Sequence, residues 1–466
     1  MRLGVVAVVP FWSQSDNLNA DSNYAYLRVV LPEMLKKTED TLFVVLFPDP
    51  RYGSDRWVYA DDGLQRNRIK FFAWPYDSQM STSVTGFDNM RFKRLEDEYG
   101  PCIYWLHQVE SEAAIFGGYR NSYARITRPC LIVQHHYIIH RSLPYVYETQ
   151  FPRQWLQIGG SLASERVIYN SDHTHKMAQE AFGEYLNKET MDKLEAKSQV
   201  LKFGLLSGDE PRAPLCTTEP PIFLYNHRFE NYKKPEITFQ VINQLRAKGH
   251  KFEVWATQTA GQKVGDFAVD KDIFEASREK YFERISVPAI NTINSVHETF
   301  CISILDSMCV GHLVVLPNTV TFPELVPKGY PFLFHNQAEQ FEMLDRILER
   351  WPEDYNRWHT VLIDHARTTF NLKKYVDDYL SIFSAEENHY RENKHKEGTL
   401  RNLTHLLESM EKGKPYPLGC LANEARRLTG CQQQAMSNRR VIRETQILRD
   451  DITIAFDKNG IILKKV

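Results

Sequence analysis

The sequence predicts an α/β fold: two Rossmann-like domains facing a cleft, followed by a small C-terminal helical and hairpin module. Three observations carry this prediction. Short apolar runs rich in Val, Ile and Phe alternate with stretches of helical period, the pattern of parallel sheets covered on both faces. The series occurs twice, on either side of FGLLSGDEPRAPLCTTEPP at 203–221, which is dense in Pro, Gly, Ser and Thr. Finally, 466 residues are too many for one ordinary hydrophobic core.

The first strand is read in LGVVAVV, whose single preceding basic residue, short apolar run and lack of a small-residue cleavage site argue against a leader or a span. TLFVVLF, CIYWLH, CLIVQHH and RVIYNS continue the first series. PIFLYNH, KFEVWAT, ISVPAI, HLVVLP and YPFLFHN form the second. Between them, TFQVINQLRAKG repeats its apolar positions every three or four residues and stops at Gly249, a C-cap. The expected divisions are 1–205 for the first Rossmann-like domain, 220–385 for the second, 386–414 for a helical connector and 415–466 for the last module. Within the connector, EENHYRENKHKEG at 386–398 reads as a solvated helix end. Leu400, Leu403, Leu406, Leu407 and Met410 then mark one more packed helix.

Composition narrows the function classes. A chain that is 42% hydrophobic and 25% charged is globular rather than disordered. No segment reaches transmembrane length, so a membrane role would be peripheral. The seven cysteines, Cys102, Cys130, Cys216, Cys301, Cys309, Cys420 and Cys431, contain no CxxC pair, which implies neither a disulfide framework nor a zinc site. A reducing cytoplasm fits best. The net charge of -2 argues against wholesale coating by nucleic acid and leaves local patches open.

The chemistry-bearing residues cluster in the second series. Arg228 and Lys233 follow the strand PIFLYN, at the strand end where open parallel sheets place ligands. Two cations there suit a diphosphate, whose charge grows as a glycosyl or phosphoryl bond breaks; ordinary surface cations are the alternative. In HETFCISILDSM, Glu298 and Asp306 are eight positions apart, so on a helix they lie only about 80° apart around the axis. One helix face could hold both acids. A dipole-favoured acid in the first turn plus an unrelated surface Asp explains the spacing equally well. Asp270-Lys271-Asp272, the only Asp-x-Asp, is read as a solvated polar loop, and no obligatory metal is expected.

Arg228-x4-Lys233, then Glu298-x7-Asp306, Gly311, the strand HLVVLPN and Phe322-Pro323-Glu324-Leu325 resemble the C-terminal half of retaining GT-B glycosyltransferases. ARTTFNLKKYVDDYLSIF at 366–383 is similar to the closing helix of that domain. The chain departs from the family pattern where Lys234-Pro235 replaces Gly, Cys301 replaces Gly and Asp306 replaces Glu. The resemblance implies a nucleotide-sugar donor, with a UDP-sugar expected first. It implies that Arg228 and Lys233 neutralise the diphosphate, that Glu298 contacts the transferred sugar, and that Asp306 hydrogen-bonds the ribose. Thr299 and Phe300 lie in the same donor-binding stretch, and the helix opening near Phe300 would turn its N–H groups toward phosphate.

In the first series, CLIVQHHYIIHRSLPY ends its strand at Gln134-His135-His136 and continues into a loop with His140 and Arg141. Ordinary polar residues at a strand exit are one reading. A neutral imidazole facing the cleft is the other. The stretch is similar to the Gln-His-Asp-His of phage DNA alpha-glucosyltransferases, which implies a catalytic role for His135; His136 stands where that pattern has Asp. His136 and Arg141 are candidate acceptor contacts, and Glu110, Glu112 and Asp172 are further acids within the series.

In the last module, CLANEARRLTGCQQQAMSNRRVIRE reads as a helix-turn-helix pattern. Its second helix would display Gln433, Asn438, Arg439 and Arg440 to bases or phosphates. From residue 420 onward, nine Lys and Arg stand against five Asp and Glu. ITIAFDKNGIILKKV alternates like a hairpin turned at Lys458-Asn459-Gly460, a candidate wing. The leading expectation is transfer of a sugar to a hydroxymethylated pyrimidine in phage DNA, in the host cytoplasm, with no membrane partner and an undefined oligomeric state. A glycosyltransferase acting on a glycan, lipid or small metabolite is the second reading, and a non-catalytic nucleic-acid-binding protein on the same scaffold is the third.

Overall fold

The computed structural model describes residues 4–9, 22–39, 41–47, 68–73, 94–95, 98–107, 109, 130–140, 144–217, 220–257, 267–273, 278–394, 415–417, 452–457 and 460–465. The first series forms β1 (Val5–Val9), α1 (Ser22–Lys37), β2 (Leu42–Phe47), β3 (Ile69–Ala73), β4 (Ile103–Leu106) and β5 (Cys130–His135). It continues through α2 (Pro144–Ala163), β6 (Arg166–Tyr169), α3 (Asp172–Gly183), α4 (Lys188–Glu195) and β7 (Ser198–Val200). The strands are all parallel, in the order β3-β2-β1-β4-β5-β6-β7.

The second series gives β8 (Ile222–Tyr225), α5 (Pro235–Lys248), β9 (Glu253–Thr257), β10 (Lys271–Ile273), α6 (Arg278–Ile285), β11 (Ala289–Thr292) and α7 (Ile302–Val310). After these come β12 (Leu313–Pro317), α8 (Phe322–Leu325), β13 (Leu333–Phe334), α9 (Gln337–Glu349), α10 (Glu353–Thr369) and α11 (Leu372–Lys394). This sheet is also parallel, in the order β10-β9-β8-β11-β12-β13. Both orders step outward from one strand and then reverse, so each sheet has a switch point, between β1 and β4 and between β8 and β11. Every residue of β4, β5, β11 and β12 is buried, which is why β4 and β12 read as unbroken apolar runs, whereas β5 and β11 also bury polar residues at their ends.

The two lobes are joined at a double crossing. Leu206 N–H donates to Phe370 O at 3.2 Å and Leu372 N–H to Leu206 O at 3.0 Å, tying the outgoing and returning chain together. A Cβ on Gly204 would lie 2.4 Å from both Asn371 O and Tyr375 Cβ, so the crossing requires a residue without one. The linker beyond it is pinned to the second lobe: Arg367 donates to Gly208 O at 2.7 Å, and Ala213 N–H to Val310 O at 2.8 Å.

The stretch 366–383, expected as one closing helix, breaks at Phe370. From Leu372 it returns to the first sheet, where Tyr375 OH meets Tyr26 OH at 2.9 Å and Tyr379 packs 4.8 Å from the Trp105 ring. Of the solvated end expected at 386–398, only the first two residues are corrected in the same way; Asn388 is exposed, and 395–398 lie outside the described residues. Glu386 and Glu387 are buried, with Arg166 Nε 2.6 Å from Glu386 Oε1 and Gly4 N–H donating to Glu387 Oε1 at 3.2 Å.

Strands β3, β7 and β10, which the apolar runs did not announce, all lie at sheet edges, where a short strand needs only one partner. Lys271-Asp272 is thus part of an edge strand and not a loop, and Asp270 Oδ2 accepts from Arg246 at 2.7 Å and from Val254 N–H at 2.8 Å. All three Asp-x-Asp residues are exposed as expected.

The last module contributes β14 (Pro415–Pro417), β15 (Ile452–Asp457) and β16 (Gly460–Lys465), an antiparallel sheet in the order β14-β16-β15. Asp457 pairs with Gly460, so Gly460 begins a strand rather than sitting in the turn. The packed helix expected at 399–411, the helix-turn-helix pattern with Gln433, Asn438, Arg439 and Arg440, and Lys458 and Asn459 lie outside the described residues. No helix among the described residues is long and apolar enough to cross a membrane.

Helix α7 ends at Gly311 with φ 98°, where a Cβ would also stand 2.4 Å from the His359 ring. Left-handed strain and overpacking therefore act together, and Gly311→Ala is expected to cost about 2–4 kcal/mol. Urea unfolding measures this directly; a loss below about 1 kcal/mol would show that the turn tolerates a side chain.

Candidate active site

The site residues stand at the switch point of the second sheet, on the segments that leave β8 and β11. After β8, residues Asn231–Lys233 form a single 3-10 turn, Lys234 adopts the left-handed conformation at φ 50°, and Pro235 opens α5. The left-handed residue explains the glycine of the resembling motif: Lys234 accepts about 1–2 kcal/mol of strain that Gly would not. After β11, Val296 N–H donates to Tyr232 O at 2.9 Å and Ser295 Oγ to the same oxygen at 3.2 Å. These bonds lay the two segments side by side. Lys233 and Glu298 meet as a consequence.

The Lys233 ammonium is ion-paired with Glu298 Oε1, and each residue is only 7% exposed. Burial would push the Lys233 ammonium down, but the adjoining carboxylate holds it above the ordinary lysine range. Arg228 is exposed on the same segment and donates to Tyr232 OH at 2.7 Å. Glu298 lies within its electrostatic reach. Helix α7 begins at this end of the sheet, with Cys301 as an N-cap that makes no side-chain capping bond, so its positive dipole end adds to the two cations. Cys301 has φ -96°, which needs no glycine, and burial pushes its thiol up to about 11, so it stays protonated.

Beneath these charges lies a buried polar network that the motifs did not announce. Asn291 Nδ2 donates to Asn226 Oδ1 at 2.7 Å and to Ser307 Oγ at 2.9 Å, and Asn226 Nδ2 donates to Ser303 O at 2.9 Å. His227 Nε2 is 3.1 Å from Asn291 Oδ1, which can only accept, so His227 carries its proton there and Nδ1 accepts from Ser303 Oγ at 2.6 Å. The network spans the ends of β8 and β11 and the first turns of α7, and holds their relative positions.

Other expected residues are placed differently. Asp306 is buried on α7, and Arg278 donates to its Oδ1 at 2.7 Å and to its Oδ2 at 3.4 Å. Burial pushes the Asp306 carboxyl up while Arg278 pulls it down. Both oxygens implied for a ribose are thus engaged by a guanidinium that no motif singled out. Phe300 is a prop between the rings of Phe203 at 5.0 Å and Phe370 at 5.6 Å.

Thr299 bridges the lobes. Its hydroxyl donates to His136 O at 2.5 Å, and its carbonyl accepts from Ser171 Oγ at 2.7 Å.

His135, expected to face the cleft, does not. Strand alternation turns its ring inward, where Nε2 is 2.8 Å from Ser161 Oγ and the ring stacks on Tyr169 at 5.1 Å. The next residue, His136, lies at the strand exit, with its Nε2 2.7 Å from His107 Nδ1. Asp172 is exposed, 3.2 Å from Lys202 Nζ. Glu110, Glu112 and Arg141 lie outside the described residues. Among the described residues, no group of three His, Cys, Asp or Glu side chains is arranged to hold a metal ion.

Removing either member of the Lys233–Glu298 pair leaves a buried charge without its counterion. Lys233→Met or Glu298→Gln alone is expected to cost about 3–5 kcal/mol, and Lys233→Met with Glu298→Leu distinctly less than the sum. Additive losses in urea unfolding would show that the pair is not coupled.

Burial pushes His135, His136 and His227 down to about 3. Unfolded, each titrates near about 6.5, so the unfolded state binds more protons as pH falls below that value. The stability of these neutral rings is complete above about pH 6.5 and is lost progressively toward pH 3. Acid unfolding curves should therefore slope downward from pH 6.5, and His135→Gln should flatten the slope by up to about 1.4 kcal/mol per pH unit. Identical slopes in the two proteins would contradict the assignment.

No family model matches the chain. A curated relative, the tRNA-queuosine alpha-mannosyltransferase of Drosophila melanogaster, is 23% identical over 256 residues, covering 49% of this chain and 67% of the relative. Among solved structures, sucrose-phosphate synthase from Thermosynechococcus elongatus superposes with a TM-score of 0.59 at 14% identity, over 82% of this chain and 100% of that one. Anabaena HepE, solved in complex with UDP-glucose, superposes with a TM-score of 0.55 at 13% identity, over 82% and 99%. With its two parallel sheets, their helices and the returning last helix, this chain has the two-lobed GT-B fold of glycosyltransferases.

Proposed function

We propose that the chain is a nucleotide-sugar-dependent glycosyltransferase that works with retention and transfers a sugar from a UDP-sugar to a hydroxyl on a modified base of nucleic acid, with hydroxymethylated pyrimidine in DNA as the acceptor. The observation that carries this reading is the buried Lys233–Glu298 pair, with Arg228 beside it, at the switch point of a GT-B second lobe. The two cations and the dipole of α7 oppose the charge that collects on a departing diphosphate. A carboxylate has about four lone-pair sites, so Glu298 can hold the lysine and still accept from sugar hydroxyls.

In the reaction, the bond from the sugar C1 to the phosphate oxygen breaks and its electron pair leaves with the diphosphate. The acceptor oxygen bonds C1 on the same face, and its proton passes to that phosphate oxygen. No protein base is required. This suits a site whose histidines at the end of β5 are neutral and engaged with other side chains.

Two features support a nucleic-acid acceptor. The curated relative is named for a tRNA nucleoside, queuosine. In the last module, a strand precedes the segment bearing the helix-turn-helix sequence pattern and a hairpin follows it, and all three strands share one sheet. That is the order expected of a helix pair with an appended wing. The relative also favours a second reading, with a tRNA nucleoside as the acceptor.

UDP-, GDP- and ADP-sugars are to be incubated with DNA containing hydroxymethylcytosine or hydroxymethyluracil, with unmodified DNA and with queuosine-containing tRNA, and the nucleosides weighed by mass spectrometry. A hexose mass increment on hydroxymethylated DNA is expected, with turnover reduced about 100-fold or more in Lys233→Ala. An increment on tRNA alone selects the second reading. Absence of donor turnover with every sugar, including hydrolysis, overturns both.

A further inference from the structure

The N-terminus of α3 lies where the first lobe meets the second, and its opening N–H groups have no partner within the helix. Ser171 satisfies one of them, accepting from Thr174 N–H at 3.0 Å. The two before it are satisfied from across the cleft. Asp172 N–H donates to Glu324 Oε2 at 2.9 Å and His173 N–H to Glu324 Oε1 at 2.6 Å. Lys202 of the first lobe stands 3.5 Å from Glu324 and 3.2 Å from Asp172, offsetting both acids. One carboxylate of the second lobe thus serves as a helix cap for the first.

Two further observations show that this contact is built rather than incidental. Glu324 sits on α8, directly after a turn in which Val320 has φ 49°. A β-branched residue is strained there, and such strain persists only where surrounding contacts over-determine it. Thr299, one residue beyond Glu298, makes the second contact with the same helix end. Its carbonyl accepts from Ser171 Oγ at 2.7 Å and Thr174 Oγ1 at 3.2 Å, and its hydroxyl accepts from Asn170 at 3.3 Å. Glu324 and Thr299, both on the lobe of the Lys233–Glu298 pair, therefore meet the α3 terminus at different groups.

We propose that Glu324 is a positioning residue, an interlobe clasp that sets the width of the cleft by capping α3 of the opposite lobe. It touches none of the reacting atoms. It holds the end of β6, the strand beside β5, at a fixed distance from the second lobe that carries Lys233 and Glu298, so that a donor bound on the second lobe meets an acceptor presented by the first. The catalytic consequence rests on the proposed glycosyltransferase activity; the clasp itself does not.

The test uses the full chain in four forms: unsubstituted, Glu324→Ala, Glu324→Gln and Glu324→Asp. Small-angle X-ray scattering reads the separation of the lobes, and circular dichroism confirms folding. Loss of two charge-assisted hydrogen bonds shifts the open-to-closed ratio by about ten- to one-hundred-fold. Glu324→Ala is expected to enlarge the radius of gyration; Glu324→Gln, which keeps one acceptor oxygen and the side-chain shape, should fall between, and so should the shorter Glu324→Asp. If Glu324→Ala does not fold, Glu324→Gln carries the comparison.

With an active enzyme, kcat for transfer falls while the Kd for UDP, measured calorimetrically, stays within about three-fold, because UDP needs only the second lobe. A merely structural defect would weaken both. Superimposable scattering from the unsubstituted protein and the folded Ala or Gln form overturns the clasp, whatever the activity. Enlargement without sugar transfer by any form, the unsubstituted one included, sustains the clasp and removes the proposed function instead.

Discussion

The second lobe is organised around one electrostatic constraint: an ammonium and a carboxylate that are both almost out of water must stay together. Neither Lys233 nor Glu298 could be buried alone, because taking a lone charge out of water costs several kcal/mol. Their pairing fixes the segment leaving β8 against the segment leaving β11, and the backbone bonds to Tyr232 O lock the same two segments. Everything else at this end of the sheet takes its position from that junction: the exposed Arg228, the left-handed Lys234 and the opening of α7.

A second layer keeps the junction rigid. The bonds joining Asn226, Asn291, His227, Ser303 and Ser307 leave little freedom for the strand ends, and the neutral His227 acts there as a relay of fixed polarity. Buried polar networks of this kind repay their desolvation only when each member is satisfied. Charge at the surface of the site thus rests on neutral, directional bonds beneath it. The same division recurs between lobes, where the α3 terminus is met by the carboxylate of Glu324 and by the backbone carbonyl of Thr299.

The crossing between lobes supplies the remaining constraint. Gly204 lies against Asn371 and Tyr375, and α11 turns back so that Tyr375 and Tyr379 join Tyr26 and Trp105 over the first sheet. The last helix of the second series therefore covers the first lobe, which ties the two sheets into one architecture while leaving their facing strand ends open to one another.

Much of this was legible in the chain. Unbroken apolar runs announced the buried central strands, because a strand covered on both faces has no polar side to alternate with. Gly249 marked a helix end, since the left-handed cap excludes most other residues. Arg228 and Lys233 were placed at a strand exit by the sequence, but their spacing and that of Glu298 left ordinary surface charges as an equal reading. The edge strands β3, β7 and β10 were silent, each being paired on one side only. His135 misled because a strand exit does not say which of two successive histidines turns inward.

Local order, the parallel sheets and the identity of the charged residues were thus determined by the sequence alone, through periodicity and burial. Only the tertiary structure decided which charges found each other: Glu298 with Lys233, Asp306 with Arg278, and Glu324 with a helix end of the other lobe. Such pairings join residues far apart in the chain, and their choice depends on which groups lose water together when the lobes assemble, a property that no local pattern records.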